Sequence, residues 1–185
     1  MKILYGIAGE GNGHVMRAKE IVDFLVTQGH DIKIFTHHKG YHYLKGKYPL
    51  EKILGMRIYY WNNRALGVGT AVINIIRFPV MLPYNLVKWC KAAAYNPDVV
   101  ISDFEPWTNY FSYVTQKPLI SLENQSVITQ TQCPIPTGKF LSWLSSWFIV
   151  SLFVPYATQR ICPVFYTSPK KKEKTRFTCI TPFMR

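Results

Sequence analysis

At 185 residues the chain has the length of one ordinary domain, and its 48% apolar and 17% charged residues can fill a core without any disordered or low-complexity tract. A formal net charge of +12, from 22 Lys and Arg against 10 acids, asks for an anionic partner, but no nucleic-acid module or stacking aromatics accompany the basic residues, which excludes nucleic acid. The run between Lys2 and Gly9 is too short for a signal-peptide core, and Cys90, Cys133, Cys162 and Cys179 lack C-x-x-C spacing, so reduced thiols in a cytosolic protein are expected.

Lys2 to Ala8 reads as a buried strand that breaks into Gly9-Glu10-Gly11-Asn12-Gly13 and then His14. Ala18, Ile21, Val22 and Leu25 recur at the helical period, predicting a helix from His14 to Gln28 with Gly29 as its C-cap. Strand, glycine loop and helix start make an anion cradle, because backbone N–H groups and the positive end of the helix dipole converge there. The glycines are expected to supply positive φ and to let a ligand approach the backbone. Two families of cradle fail on spacing. Gly6 to Gly11 has the P-loop interval but continues Asn12-Gly13, with no lysine for the phosphates. Gly9 and Gly11 begin a dinucleotide fingerprint, but His14 holds the third place. The second strand, Asp31 to Thr36, then leads into His37-His38-Lys39 instead of a ribose-binding acid, so no NAD or FAD is expected.

Met56 to Tyr60 is predicted as a third strand. The apolar stretch from Ala65 to Trp89 is interrupted by Arg77, Pro79 and Pro83, which predicts two short helices flanking a Pro-bounded turn. Val99 to Ser102 and Leu119 to Leu122 read as buried parallel strands separated by a short helix within Trp107 to Thr115. Phe140 to Gln159 carries no charge and reaches the length of a transmembrane helix. Ser142, Ser145 and Ser146 mark a polar stripe there, and three readings stay open: a membrane-docking face, a core helix or a span. Trp143 and Trp147 fit an interfacial edge or a core equally. Cys162 to Tyr166 and Phe177 to Ile180 would close the sheet. The cluster Lys170 to Arg176 reads as a solvated loop or as a contact with an anionic membrane, which attracts such residues at about 1 kcal/mol each. This alternation implies an α/β fold: a doubly wound, mainly parallel, Rossmann-like sheet with right-handed crossovers. Gly9 to His14, His37, Asp103 to Glu105 and Glu123 to Gln125 should then share one rim at the carboxyl ends of the strands.

The G-x-G-x-G-H loop with Arg17 one turn into the helix resembles the opening of the GT-B glycosyltransferases. The likeness is to the branch holding the lipid-linked GlcNAc transferase of peptidoglycan synthesis, the galactolipid synthases and their uncharacterised prokaryotic relatives. Asn96-Pro97-Asp98-Val99-Val100-Ile101-Ser102-Asp103-Phe104-Glu105-Pro106 resembles that family's PDVVISD strand and following loop. Pro118 to Gln125, PLISLENQ, resembles the next strand. The likeness covers the chain from residue 1 to 185, weakly through 45–95. It implies a single Rossmann-like, acceptor-side domain of a GT-B architecture, with residues 175–185 as the last strand and start of an interdomain linker. The nucleotide-sugar donor would be a co-substrate bound mainly by a second domain that this sequence lacks, supplied by a separate chain or lost by truncation. A two-chain GlcNAc transferase of the dolichol pathway is an analogy for the first arrangement.

Glycosyl transfer needs a base for the acceptor hydroxyl and stabilisation of the leaving diphosphate. His14, at a helix N-terminus that favours a neutral imidazole, is the candidate base, with loop ordering as its alternative. The resemblance agrees, since related enzymes place a histidine there near the acceptor. Asp103 and Glu105 are the alternative bases, or orient sugar hydroxyls and the loop. Gly9, Gly11, Asn12, Gly13, Arg17, Glu123 and Asn124 are the candidate acceptor- and phosphate-binding residues, although Arg17 could equally form a surface salt bridge. No resident cofactor and no metal are expected. His37, His38 and His42 lack a supporting acid motif, and Asp103-Phe104-Glu105 only imitates the D-x-D motif of the other glycosyltransferase fold. Tyr41, Tyr43, Tyr48, Tyr59 and Tyr60 could stack on sugars, but such rings are more often buried. The expected partners are a donor-binding domain or chain, a lipid-linked or glycan acceptor and an anionic membrane surface. The expected location is cytoplasmic, peripheral on the inner face of the membrane. The alternative function is a non-catalytic subunit that binds acceptor or anchors a separate donor-binding chain.

Overall fold

The computed structural model describes residues 1–122 apart from positions 63 and 66, together with positions 143, 144, 147, 150 and 151. In chain order its elements are β1 (Lys2–Ile7), α1 (Asn12–Thr27), β2 (Asp31–Thr36), α2 (His38–Leu44), β3 (Leu50–Lys52), β4 (Tyr60–Trp61), β5 (Arg64–Ala65), α3 (Gly67–Tyr95), β6 (Val99–Asp103), α4 (Pro106–Thr115) and β7 (Leu119–Ser121). β1 is buried on both faces, as a parallel strand between helical layers must be. Ile3, Tyr5 and Ile7 pack with Val15, Ala18 and Val22 of α1, while Leu4 faces Phe35, Val100 and Phe111 on the other side. Gly6 also faces α4, where a Cβ would fall 1.9 Å from the Thr108 hydroxyl.

The sheet has five parallel strands in the order β3-β2-β1-β6-β7. The chain order reverses between β1 and β6, and a crevice opens at the carboxyl ends of the strands at such a point. α1 ends as expected at Gly29: φ is +77°, Gly29 N–H reaches Val26 O and His30 N–H reaches Leu25 O, a Schellman closure.

Two expected elements differ. The third strand is Leu50–Lys52, paired with Ile34 to Thr36, not Met56 to Tyr60. Part of that later stretch is held by side chains instead: Asn74 accepts from Arg57 N–H (2.9 Å) and donates to Arg57 O (2.7 Å), and Thr70 Oγ1 accepts from Tyr59 N–H (3.0 Å). Asn85 clips Leu54 in the same two-point way, at 2.9 and 2.8 Å. Tyr60–Trp61 instead forms a small antiparallel pair with Arg64–Ala65. The second difference is α3, one continuous 29-residue helix with Pro79 and Pro83 inside it. Its buried Asn74, Met81, Asn85 and Ala92 recur at helical spacing on both sides of the prolines, and both prolines lie on the exposed face. Anchorage of that stripe offsets the two lost ladder bonds. Positions 143, 144, 147, 150 and 151 are helical. The rest of 140–159, the basic cluster 170–176, the strands at 162–166 and 177–180 and the linker 175–185 lie outside the described residues.

Candidate active site

Ala8 leaves β1 by donating its N–H to Asp103 O at the end of β6 (3.1 Å), so the glycine loop and the Asp103 loop begin side by side. Gly9 is required sterically: a Cβ would lie 1.8 Å from His37 O. Positive φ is not the reason for the glycines of this loop, contrary to expectation; among the described glycines only Gly29 and Gly46 carry it. A Cβ at Gly11 would meet only the His14 ring at 3.5 Å, and one at Gly13 would meet nothing within 4 Å. Those two positions leave open space over the backbone, as a ligand's approach would need. α1 starts at Asn12, earlier than expected, so Asn12 and Gly13 form its first turn. Gly11 is the N-cap, with no capping side chain and no acid in that turn. Its first N–H groups are therefore free of intrahelical partners and point toward solvent.

His14, in that same turn, meets Asp103. Its Nδ1 lies 2.6 Å from Asp103 Oδ1, and Arg17 donates from Nε to Oδ2 (3.1 Å) and from Nη2 to Oδ1 (2.5 Å). The Asp103 side chain is wholly buried, whereas His14 and Arg17 retain 22% and 35% exposure. An acceptor-only carboxylate at Nδ1 selects the Nδ1–H tautomer and leaves Nε2 as a base. Phe104 takes a left-handed φ of +55° and stacks its ring near-parallel to His14 at 6.5 Å. Tyr5 brings its hydroxyl into the same buried region with no hydrogen-bond partner among the described residues. Burial, then the Asp103 charge, pushes its phenol well above the ordinary range.

Asp103 and Glu105 part ways. Glu105 is wholly buried as the N-cap of α4, accepting from Trp107 N–H (3.1 Å), Thr108 N–H (2.7 Å) and Thr108 Oγ1 (2.8 Å). Burial lifts its carboxyl to about 7, against the pull of those bonds. The geometry thus puts Asp103 beneath His14 and Glu105 inside the fold, on different partners. Arg17 holds Asp103 through Nε and Nη2, leaving Nη1 out of that contact.

His37, expected on the rim and discounted as a metal ligand, has a sharper place. Its ring lies between Gly9 and Gly55, where a Cβ on Gly55 would fall 2.1 Å from Cδ2, and its Nε2 accepts from Gly9 N–H (3.2 Å). Burial, then the charges of His38 and Arg77, lowers its pKa to about 4. The signal was a histidine closing β2 where a dinucleotide fold carries an acid. Among the described residues no group of three His, Cys, Asp or Glu could hold a metal. Tyr43, Tyr59 and Tyr60 are exposed. Glu123 and Asn124 lie outside the described residues.

A family model described as glycosyl transferase family 1 matches residues 1–185. The chain belongs to that family. Among solved structures, the family-1 domain is similar to MurG of Acinetobacter baumannii, with a TM-score of 0.51 and 14% identity over 92% of this chain and 44% of that one. It is also similar to the spinosyn forosaminyltransferase SpnP, with a TM-score of 0.50 and 13% identity over 89% of this chain and 46% of that one. The chain thus spans less than half the length of these two structures, and the likeness at such identities is one of fold: the Rossmann-like half of a GT-B glycosyltransferase. No curated protein matches the sequence.

Proposed function

We propose that this domain is the acceptor-side half of an inverting glycosyltransferase, in which His14 is the general base and Asp103 its orienting partner. The observation that carries the reading is the 2.6 Å contact between His14 Nδ1 and the buried Asp103, at the reversal point of the sheet beside an uncapped helix N-terminus. His14 Nε2 takes the acceptor hydroxyl's proton as its oxygen attacks the anomeric carbon of a nucleotide-sugar. The nucleoside diphosphate leaves with the electron pair of the broken glycosidic bond. Asp103 stabilises the imidazolium that forms. A donor-binding domain or chain holds the nucleotide-sugar, and no resident cofactor or metal takes part. Gly11, Asn12 and Gly13 face the acceptor, a lipid-linked or glycan molecule, with Gly9 shaping the loop behind them; Glu123 and Asn124 are assigned to acceptor binding from the sequence alone.

The acceptor reaches this rim from an anionic membrane surface on the cytoplasmic side. α3 supports docking, since Ile75, Ile76, Phe78, Val80 and Val87 are each at least half exposed on it. By length and composition residues 69–95 could cross a membrane, but crossing would strip Asn74 and Asn85 from their backbone clips. The same apolar face favours the second reading, a non-catalytic subunit that anchors a separate donor-binding chain.

Supplying a donor-binding half and a lipid-phosphate acceptor tests both. His14→Ala should lower turnover by about 100-fold or more, the low end of a general base's contribution. Unchanged turnover in that variant removes His14 as the base, and absence of transfer by the wild type with intact membrane binding favours the anchoring subunit.

A further inference from the structure

We infer that Arg77 and Arg57 form an anion subsite beside the glycine loop, built for a phosphate ester or diphosphate. The inference rests on the acceptor-side reading above and adds two cations to Arg17 at the phosphate-binding side of the site. Arg17 holds Asp103 along one edge of its guanidinium, through Nε and Nη2.

Arg77 lies one turn beyond Asn74 on α3, and Asn74 clips the backbone of Arg57, so the two arginines share one corner. Arg77 Nη1 donates to Gly55 O at 3.2 Å. Gly55 packs on the His37 ring, and His37 accepts from Gly9 N–H, so three contacts link the guanidinium to the glycine loop. Arg77 is half-buried and Arg57 exposed, and neither forms an ion pair with a carboxylate among the described residues. One hydrogen bond to a carbonyl leaves most of Arg77's five donors free. Burial and the Arg57 charge both hold Arg77 below its ordinary pKa, while Glu10 acts in the opposite sense without forming an ion pair with it. The Glu10 Oε1 atom is buried with no hydrogen-bond partner among the described residues. The Arg57 and Arg77 charges share this corner and repel, one of them partly desolvated, and an anion between them would relieve that repulsion. A phosphate matches their planar forks bidentately, as a single ammonium would not. Glu10 would accept from a hydroxyl next to that phosphate, and alone it weakens a bare anion's binding.

The test titrates the full chain with pyrophosphate and, separately, with vesicles of phosphatidylcholine with or without phosphatidic acid. Arginine Nε–H resonances and glycine amides are followed by NMR. Wild type should show saturable shifts at Arg77, Arg57 and the loop amides. Arg57→Gln, at an exposed side chain that leaves the fold intact, should weaken binding about tenfold or more, as losing a charged hydrogen bond does. Arg77→Gln should weaken it further, and Glu10→Gln should strengthen it. Weakening confined to pyrophosphate identifies a substrate phosphate; weakening confined to phosphatidic acid vesicles identifies a lipid headgroup; either supports the subsite. Unchanged affinity of Arg57→Gln and Arg77→Gln for both overturns it. The readout is independent of sugar transfer: phosphate binding without transfer by the reconstituted enzyme defeats the enzymatic reading and leaves the subsite standing. Transfer without any phosphate binding does the reverse.

Discussion

Asp103 holds the His14 imidazole and the Arg17 guanidinium from a site with no solvent contact, and an acid so placed acts through the groups it holds. Asp103→Asn keeps the shape but can offer Nδ1 an amide donor, which selects the wrong tautomer of His14. Transfer in a reconstituted enzyme should fall about 100-fold or more in that variant, measured as kcat at saturating donor; a normal kcat would mean that His14 needs no orienting acid. His37 and Glu105 govern stability in opposite directions. Between its ordinary 6.5 and the folded value of about 4, His37 is protonated in the unfolded chain but not in the native one. Its contribution is therefore full above that window and lost as pH falls through it. Glu105 keeps a proton in the native state from about 4.5 up to about 7, so its contribution is full below that window and lost as pH rises through it. Relative to wild type, His37→Phe should gain stability as pH falls from 6.5 to 4, and Glu105→Gln should gain as pH rises from 4.5 to 7. Urea unfolding across pH measures both, and curves parallel to wild type would remove these assignments. Gly9→Ala drives a methyl into His37 O and should cost about 1–3 kcal/mol in the same assay.

At the level of elements, α3 is bound to the 54–59 stretch by asparagine side chains. The Asn74 and Asn85 amides are buried, and each satisfies a donor and an acceptor of the main chain. Asn85→Ala leaves Leu54 N–H and O without their partner and should cost about 1–3 kcal/mol. Hydrogen exchange should speed up at Leu54 in Asn85→Ala and at Arg57 in Asn74→Ala; retained protection would show that the clips are incidental. These clips explain why the sequence misplaced two elements. Met56 to Tyr60 has strand-like residues, but Asn74 and Thr70, more than ten positions away, take its hydrogen bonds. Pro79 and Pro83 signal a break, yet the stripe that carries the helix past them skips the proline face. By contrast, β1, β6 and β7 were legible as short, mainly apolar runs between turn residues, and β2 from Ile32, Ile34 and Phe35 between Gly29 and His37. Gly29 was legible because only a left-handed residue closes α1 this way. At the site, the glycine loop and His14 could be read from order alone. Asp103 as partner rather than base, and Glu105 as a cap, could not, since both depend on which side of the β6–α4 turn each carboxylate leaves.

For the molecule as a whole, net positive charge and exposed apolar surface occur in one chain. The chain's +12 charge accompanies a helix whose outer face holds Ile75 and Ile76 at 71% exposure each. Vesicle flotation should show binding to anionic but much less to neutral bilayers, weakening as salt rises. Ile75→Glu with Ile76→Glu should lower partitioning at least about tenfold, since each buried side chain of this size contributes about 1.5–3 kcal/mol. Equal binding by that double variant would place the contact elsewhere. The two prolines on this face set how deep it can go. Proline has no N–H to give, so the carbonyls of Ile75 and Pro79 have no donor four residues on. Lone oxygens one turn apart are tolerable among water and lipid headgroups but costly in hydrocarbon. A cover over α3 must therefore stay wet along this seam, which fits the proposed docking at the level of lipid phosphates and not deeper.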